Sequence, residues 1–147
     1  MDPDSPFLEI SGLAAYKSEY PIGGGAFAGI GVSSGIECVI FANDPTVLAG
    51  AMHFYSVKKW MRCMQIARDC RIPFIQFVES AGGDLRPRAG AAVGGMGHFA
   101  ESGRQFYEIT ELSKLNIPTV TVAFGTATAG GAYQPGMSDY NIFVKNQ

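Results

Sequence analysis

Two strand-to-helix junctions carry the residue types best suited to chemistry. One reads Phe77-Val78-Glu79-Ser80-Ala81-Gly82-Gly83-Asp84, the other Thr126-Ala127-Thr128-Ala129-Gly130-Gly131-Ala132-Tyr133. In each, an apolar run introduced by a proline (Pro73 or Pro118) ends near paired glycines. Glycines at a helix start leave backbone N–H groups without intrahelical acceptors and without side chains above them. The helix dipole adds positive potential at the same place. Such a site suits an anion, or a carbonyl oxygen becoming an oxyanion. If the two runs are parallel neighbours in one sheet, their carboxyl ends share an edge. Each junction then supplies donors to a single oxygen. The plain alternative is two ordinary turns, since glycine pairs also punctuate strand ends.

Other reactive side chains point less clearly. Ser80 invites a hydrolase reading, but Val78 stands where the G-x-S-x-G elbow needs glycine, and His53 and His98 are the only histidine bases. A hydratase needs a carboxylate just after the glycine pair. Tyr133 occupies that place, and the next carboxylate is Asp139. Lys58, Lys59, Arg62, Arg86 and Arg88 suit phosphates, or else form a solvated helix face and loop. His53 reads as structural and His98 as a helix cap, a ligand contact or a solvated residue. Cys38, Cys63 and Cys70 make an odd set without CxxC spacing. Reduced thiols fit better than a disulfide framework or a zinc site, and no metal is expected.

The elements that must position these junctions follow from hydrophobic period and turn residues. Residues 1–25 read as an extended lead-in ending at Gly23-Gly24-Gly25. Residues 26–33 and 36–43 form a hairpin around Ser34-Gly35, and 46–53 a third short strand. Ser56 caps a helix over 57–71 whose core face is Val57, Trp60, Met61, Met64 and Ala67. A buried strand covers 74–78, and a Gly-, Ala- and Arg-rich loop covers 80–97. A second helix spans 98–115 with Phe99, Phe106, Ile109 and Leu112 inward. Then come a strand at 119–124, a turn and short helix within 125–139, and a strand at 141–144. Alternating strands and helices predict an α/β fold in one domain.

Composition narrows the classes further. Of the 147 residues, 47% are hydrophobic and 16% charged, with a net charge of −2. Charged residues usually make up about a quarter of a soluble domain. The shortfall predicts surface buried against a partner, or a chain cut from something larger. The charge speaks against nucleic-acid and anionic-membrane binding. No apolar run of spanning length and no signal-peptide pattern is present.

Several segments resemble the carboxyltransferase (beta) subunits of biotin-dependent acyl-CoA carboxylases, the methylcrotonoyl-CoA type above all. They are DPDSPFLEI with GGGAFAGIGVSSG, IECVIFANDPTVLAGA with VKKWMRCMQIA, IPFIQFVESAGGD, and GTATAGGAYQPGMSDYNIFVKNQ, in family order over nearly the whole chain. The resemblance implies a ClpP/crotonase-type fold, a spiral of ββα turns. It implies carboxyl transfer from carboxybiotin to an acyl-CoA through an enolate held by backbone donors. Gly130 and Gly131 would be donors, with Gly83 or its neighbour Gly82 opposite. Ala129, Ala132, Tyr133, Ala81, Arg62 and Lys59 would contact substrate. Biotin would arrive on a carrier subunit, and the assembly would be a homo-oligomer, a hexamer in the family, in a bacterial cytoplasm or mitochondrial matrix. The family's strand-end motif usually reads Asp-Ser-Gly-Gly-Ala, against Glu79-Ser80-Ala81-Gly82-Gly83-Asp84 here. Nothing corresponds to the family's second crotonase-type domain, so the chain is expected to be an incomplete N-terminal carboxyltransferase domain, inactive alone. A single-domain enoyl-CoA hydratase or isomerase, and a non-catalytic CoA-binding or assembly module, stand as alternatives.

Overall fold

Ser34 and Gly35 both adopt positive φ (52° and 77°), the backbone that a two-residue hairpin turn requires. They fold β2 (Ala26–Ser33) back on β3 (Ile36–Asn43) along the full length of both strands. The Asp2 carboxylate accepts from both turn amides at 2.7 Å. Those bonds hold its carboxyl below the usual range. The computed structural model describes residues 1–86 and 96–147, without the side chains of 96–102. Before the hairpin lies β1 (Leu8–Glu9); after it come α1 (Phe54–Cys70), β4 (Phe74–Ser80), α2 (Met96–Lys114), β5 (Thr119–Ala127), α3 (Tyr133–Gly136) and β6 (Tyr140–Phe143). One six-stranded sheet runs in chain order. β1 to β3 pair antiparallel; β3 to β6 pair parallel.

The core lies between α1, α2 and one sheet face. Val57, Trp60, Cys63, Met64 and Ala67 of α1 bury against Phe41, Phe74, Ile109 and Leu112. Met61, expected in that stripe, is only partly buried. Along β4, Phe74, Gln76, Val78 and Ser80 alternate inward, as a period of two demands. Arg71 ends α1 in the left-handed region (φ 58°), two residues before Pro73.

Three expectations need correction. Residues 46–53 are not a strand: Leu48–Gly50 form a tight 3-10 turn with Leu48, Ala49 and Gly50 all at positive φ. The Asp44 carboxylate starts that turn by accepting from the Thr46 amide and hydroxyl at 3.0 and 2.6 Å. Only Met52 makes a bridge, to Gly83. The α1 cap is His53, not Ser56: His53 Nδ1 accepts from the Tyr55 amide at 3.3 Å, and Ser56 Oγ accepts from the His53 amide at 2.7 Å. β5 runs on to Ala127 because it stays paired with β4 past the predicted end. Residues 87–95, including Arg88, and the side chains of His98 and Phe99 lie outside the described residues.

Candidate oxyanion site

β4 and β5 are parallel neighbours, so their glycine junctions meet at one sheet edge. Their register shifts between Val78 and Ser80: Val78 pairs with Ala123, then Ser80 with Ala127. The Thr128 amide donates to the Ser80 carbonyl at 3.0 Å, the last tie before the chains part. Beyond it Gly82 takes φ +95°, a conformation that side chains rarely adopt. A Cβ there would stand 3.1 Å from the Thr128 carbonyl and 3.7 Å from the Gly130 nitrogen. A side chain at 82 would therefore crowd the opposite turn.

Bonds within the fold occupy several of the junction amides. Ala81 N–H donates to Ala49 O at 3.0 Å, and Asp84 N–H to Met52 O at 2.8 Å. Gly82 N–H donates to Ser80 Oγ at 3.2 Å. Gly131 N–H donates to Thr128 O at 2.8 Å. Gly131 is buried, and a Cβ on it would press on Ser80 at 2.9 Å. Gly131 and Gly82 are thus occupied in packing and turn bonds. Among the described residues no acceptor faces the N–H of Gly83 or Gly130. Both glycines are exposed, and a Cβ on either would meet nothing within 4 Å among the described residues. Ala129, beside Gly130, sits at φ 46°, a strained backbone of the kind that costs on the order of 1–3 kcal/mol. The helix expected after the turn is a single turn, 133–136, too short for a sizeable dipole.

A buried polar network fixes that turn. Gln76, fully buried on β4, accepts from Trp60 Nε1 at 3.1 Å. Its amide donates to Thr121 Oγ1, Ser138 Oγ and the Gln134 carbonyl at 2.9, 3.1 and 3.2 Å. Asp139 accepts from the Thr119 amide at 2.8 Å and hydroxyl at 2.9 Å. Together these bonds clip 134–139 onto β4 and β5, leaving the Gly130 turn little freedom.

The structure separates the other candidates. Ala81, Ala129, Ala132 and Tyr133 are exposed around the two amides. The Tyr133 ring lies 4.8 Å from that of Phe106. Lys59, expected to meet substrate, is buried instead: Nζ donates to the carbonyls of Ala26 and Gly23 at 2.8 and 3.2 Å. Burial lowers its pKa, and its bonds tie the glycine turn to α1. Arg62 is exposed and bonded to Gln65 at 3.0 Å, about 12 Å along α1 from Phe54 at a rise of 1.5 Å per residue. That places it away from the junctions. Lys58 lies 4.2 Å over the Phe54 ring. Arg86 pairs with Asp84 at 2.8 Å, and the Tyr20 hydroxyl donates to Asp84 at 2.9 Å. Beside this pair opens a cleft of about 440 Å³ lined by Glu19, Tyr20, Pro21, Thr46, Val47, Leu48 and Arg86. That cleft was not legible in sequence, because its walls come from segments far apart in the chain. Ser80 is fully buried and holds the Gly82 amide, so its hydroxyl is not presented as a hydrolytic nucleophile. Burial pushes the Cys63 thiol up to about 12, which makes it inert.

The Carboxyl transferase domain family model matches residues 1–147. The chain is 46% identical over 147 residues to the probable biotin-dependent acyl-coenzyme A carboxylase beta2 subunit of Mycobacterium tuberculosis, covering all of this chain and 26% of that relative. It is 42% identical over 148 residues to the mitochondrial methylcrotonoyl-CoA carboxylase beta chain of Dictyostelium discoideum, covering 99% of this chain and 24% of the relative. Among solved structures it resembles the beta subunit of P. aeruginosa geranyl-CoA carboxylase, with TM-score 0.83 and 38% identity over 97% of this chain and 28% of that one. The chain thus spans about a quarter of the length of the curated relatives it matches.

Proposed function

The chain belongs to the Carboxyl transferase domain family and has its crotonase-type α/β fold, and from that premise we propose that it forms the acyl-CoA side of a carboxyltransferase site in a biotin-dependent acyl-CoA carboxylase. The thioester carbonyl oxygen of the acyl-CoA accepts from the amides of Gly83 and Gly130. Loss of a proton from the carbon conjugated to that carbonyl turns the oxygen into an enolate, and both donors then strengthen without any side chain titrating. Carboxybiotin, carried by a partner subunit, supplies the activated carboxyl group. The nucleophilic carbon of the enolate would take that carboxyl group, a C–C bond forming as the N–C bond to biotin breaks; the released ureido nitrogen would take up the proton, and the thioester carbonyl would be restored. Tyr133 and Phe106 flank the reacting end. The carboxyltransferase works as a homo-oligomer with its biotin-carrying partner, in a bacterial cytosol or a mitochondrial matrix.

One observation carries this reading: two exposed amides without acceptors among the described residues, on facing junctions of parallel strands. The test is carboxylation of a panel of acyl-CoAs by the full-length polypeptide assembled with its biotin-carrying partner. Biotin-dependent formation of a carboxyacyl-CoA is expected. Acyl-CoA binding with no turnover across the panel would replace the enzyme with a non-catalytic binding module.

A further inference from the structure

Ser80 belongs to the site through neither exposure nor nucleophilicity, yet it touches both junctions. It is fully buried at the end of β4, just past the register shift. Its Oγ accepts from the Gly82 amide at 3.2 Å, which sets the chain one residue before the Gly83 amide. Its carbonyl accepts from the Thr128 amide at 3.0 Å and the Thr128 hydroxyl at 3.4 Å, which sets the start of the opposite turn. Its Cβ and Oγ pack on the open face of Gly131, where an added Cβ would lie 2.9 and 3.0 Å from them. Gly131 in turn directly follows Gly130. Three groups of one side chain and backbone therefore fix both loops.

We infer that Ser80 is a positioning residue that sets the separation between the Gly83 and Gly130 amides; this rests on their reading as the paired donors of the carboxyltransferase site. The backbone tie to Thr128 survives any substitution at residue 80, and the Cβ contact survives alanine. Only the hydroxyl acceptor is lost in Ser80→Ala, which leaves the buried Gly82 amide without it. The Ala81–Gly82 peptide, which carries that N–H, then relaxes toward a new acceptor, and Gly83 moves with it. Misplacement of a donor by about 1 Å weakens transition-state stabilisation on the order of a hundredfold. Substrate affinity, drawn mainly from the rest of the CoA molecule, changes little.

The test uses the full-length polypeptide, assembled with its partner for kinetics and alone for crystallography. In S80A, kcat is expected to fall about 10- to 100-fold while KM for acyl-CoA stays within about threefold. The variant's crystal structure is expected to show the Gly83 nitrogen displaced from its wild-type position relative to Gly130 by about 0.5 Å or more. Unmoved amides overturn the inference, whatever the rate does. A normal kcat overturns it while the carboxyltransferase reading stands. If the wild-type assembly carboxylates no acyl-CoA, that reading fails on its own, and the amide displacement alone decides the role of Ser80. Should S80A not fold, S80C, which keeps the shape with only a weak sulfur acceptor, takes the same two measurements.

Discussion

Gly130→Val separates ligand approach from folding. Gly130 is exposed, lies outside the positive-φ region, and has open space where a Cβ would go. Valine keeps the backbone N–H and C=O, so the substitution itself removes no hydrogen-bonding group. Substitutions at such positions usually stay within about 0.5 kcal/mol. The full-length variant is therefore expected to melt within about 4 °C of wild type. A valine side chain nevertheless stands over the amide and keeps a thioester oxygen from reaching it. Losing one oxyanion donor costs about 2.7–4 kcal/mol, or about a hundred- to a thousandfold in kcat. The assay is steady-state carboxylation by the assembled carboxylase at saturating acyl-CoA. Gly103→Ala on α2, where a Cβ also meets nothing within 4 Å among the described residues, is the matched control and is expected to retain full rate. A well-folded Gly130→Val enzyme with kcat within about threefold of wild type would refute the donor assignment.

Other outcomes follow from the packing. Gln76→Leu removes the acceptor of Trp60 Nε1 and the donor to Thr121, Ser138 and Gln134. It should cost about 1–3 kcal/mol for each buried group left unsatisfied, read as a lower urea midpoint with an unchanged slope. Gly50→Ala drives a Cβ into the Glu79 carbonyl at a position held at φ +71°. It should destabilise by more than about 2 kcal/mol, whereas Gly35→Ala, also at positive φ but with nothing nearby, should cost about 1 kcal/mol; equal melting temperatures would contradict this. The Asp84 carboxyl is held below its usual range of 3.8, first by the Arg86 side chain and then by the Arg86 amide. Its folded pKa is depressed, so the unfolded chain takes up the proton first as pH falls. Its contribution is present above the unfolded value and is lost as pH falls below about 4. Asp84→Asn should therefore flatten part of the acid limb of a stability–pH curve, and an unchanged limb would remove Asp84 from the account.

Local chemistry was enough to read much of the fold. The alternation of Phe74, Gln76, Val78 and Ser80, the Trp60–Cys63–Met64–Ala67 spacing and the Ser34-Gly35 turn each express a period or a backbone preference contained in a few residues. The two glycine junctions were legible for the same reason, as was their likeness to one family. What failed depended on partners remote in sequence. TVLAGAMH has strand composition, yet it coils because Gly50 packs on Glu79 and the Ala49 carbonyl takes the Ala81 amide. Lys59 has the charge of a phosphate ligand, yet two carbonyls from the glycine turn bury it. Sequence supplied four glycines as donor candidates, Gly82, Gly83, Gly130 and Gly131. Only tertiary structure separates them, because an N–H already bonded within the fold is not offered to a ligand, and among the described residues no acceptor faces Gly83 or Gly130. Ser80 Oγ took that of Gly82 and the Thr128 carbonyl that of Gly131.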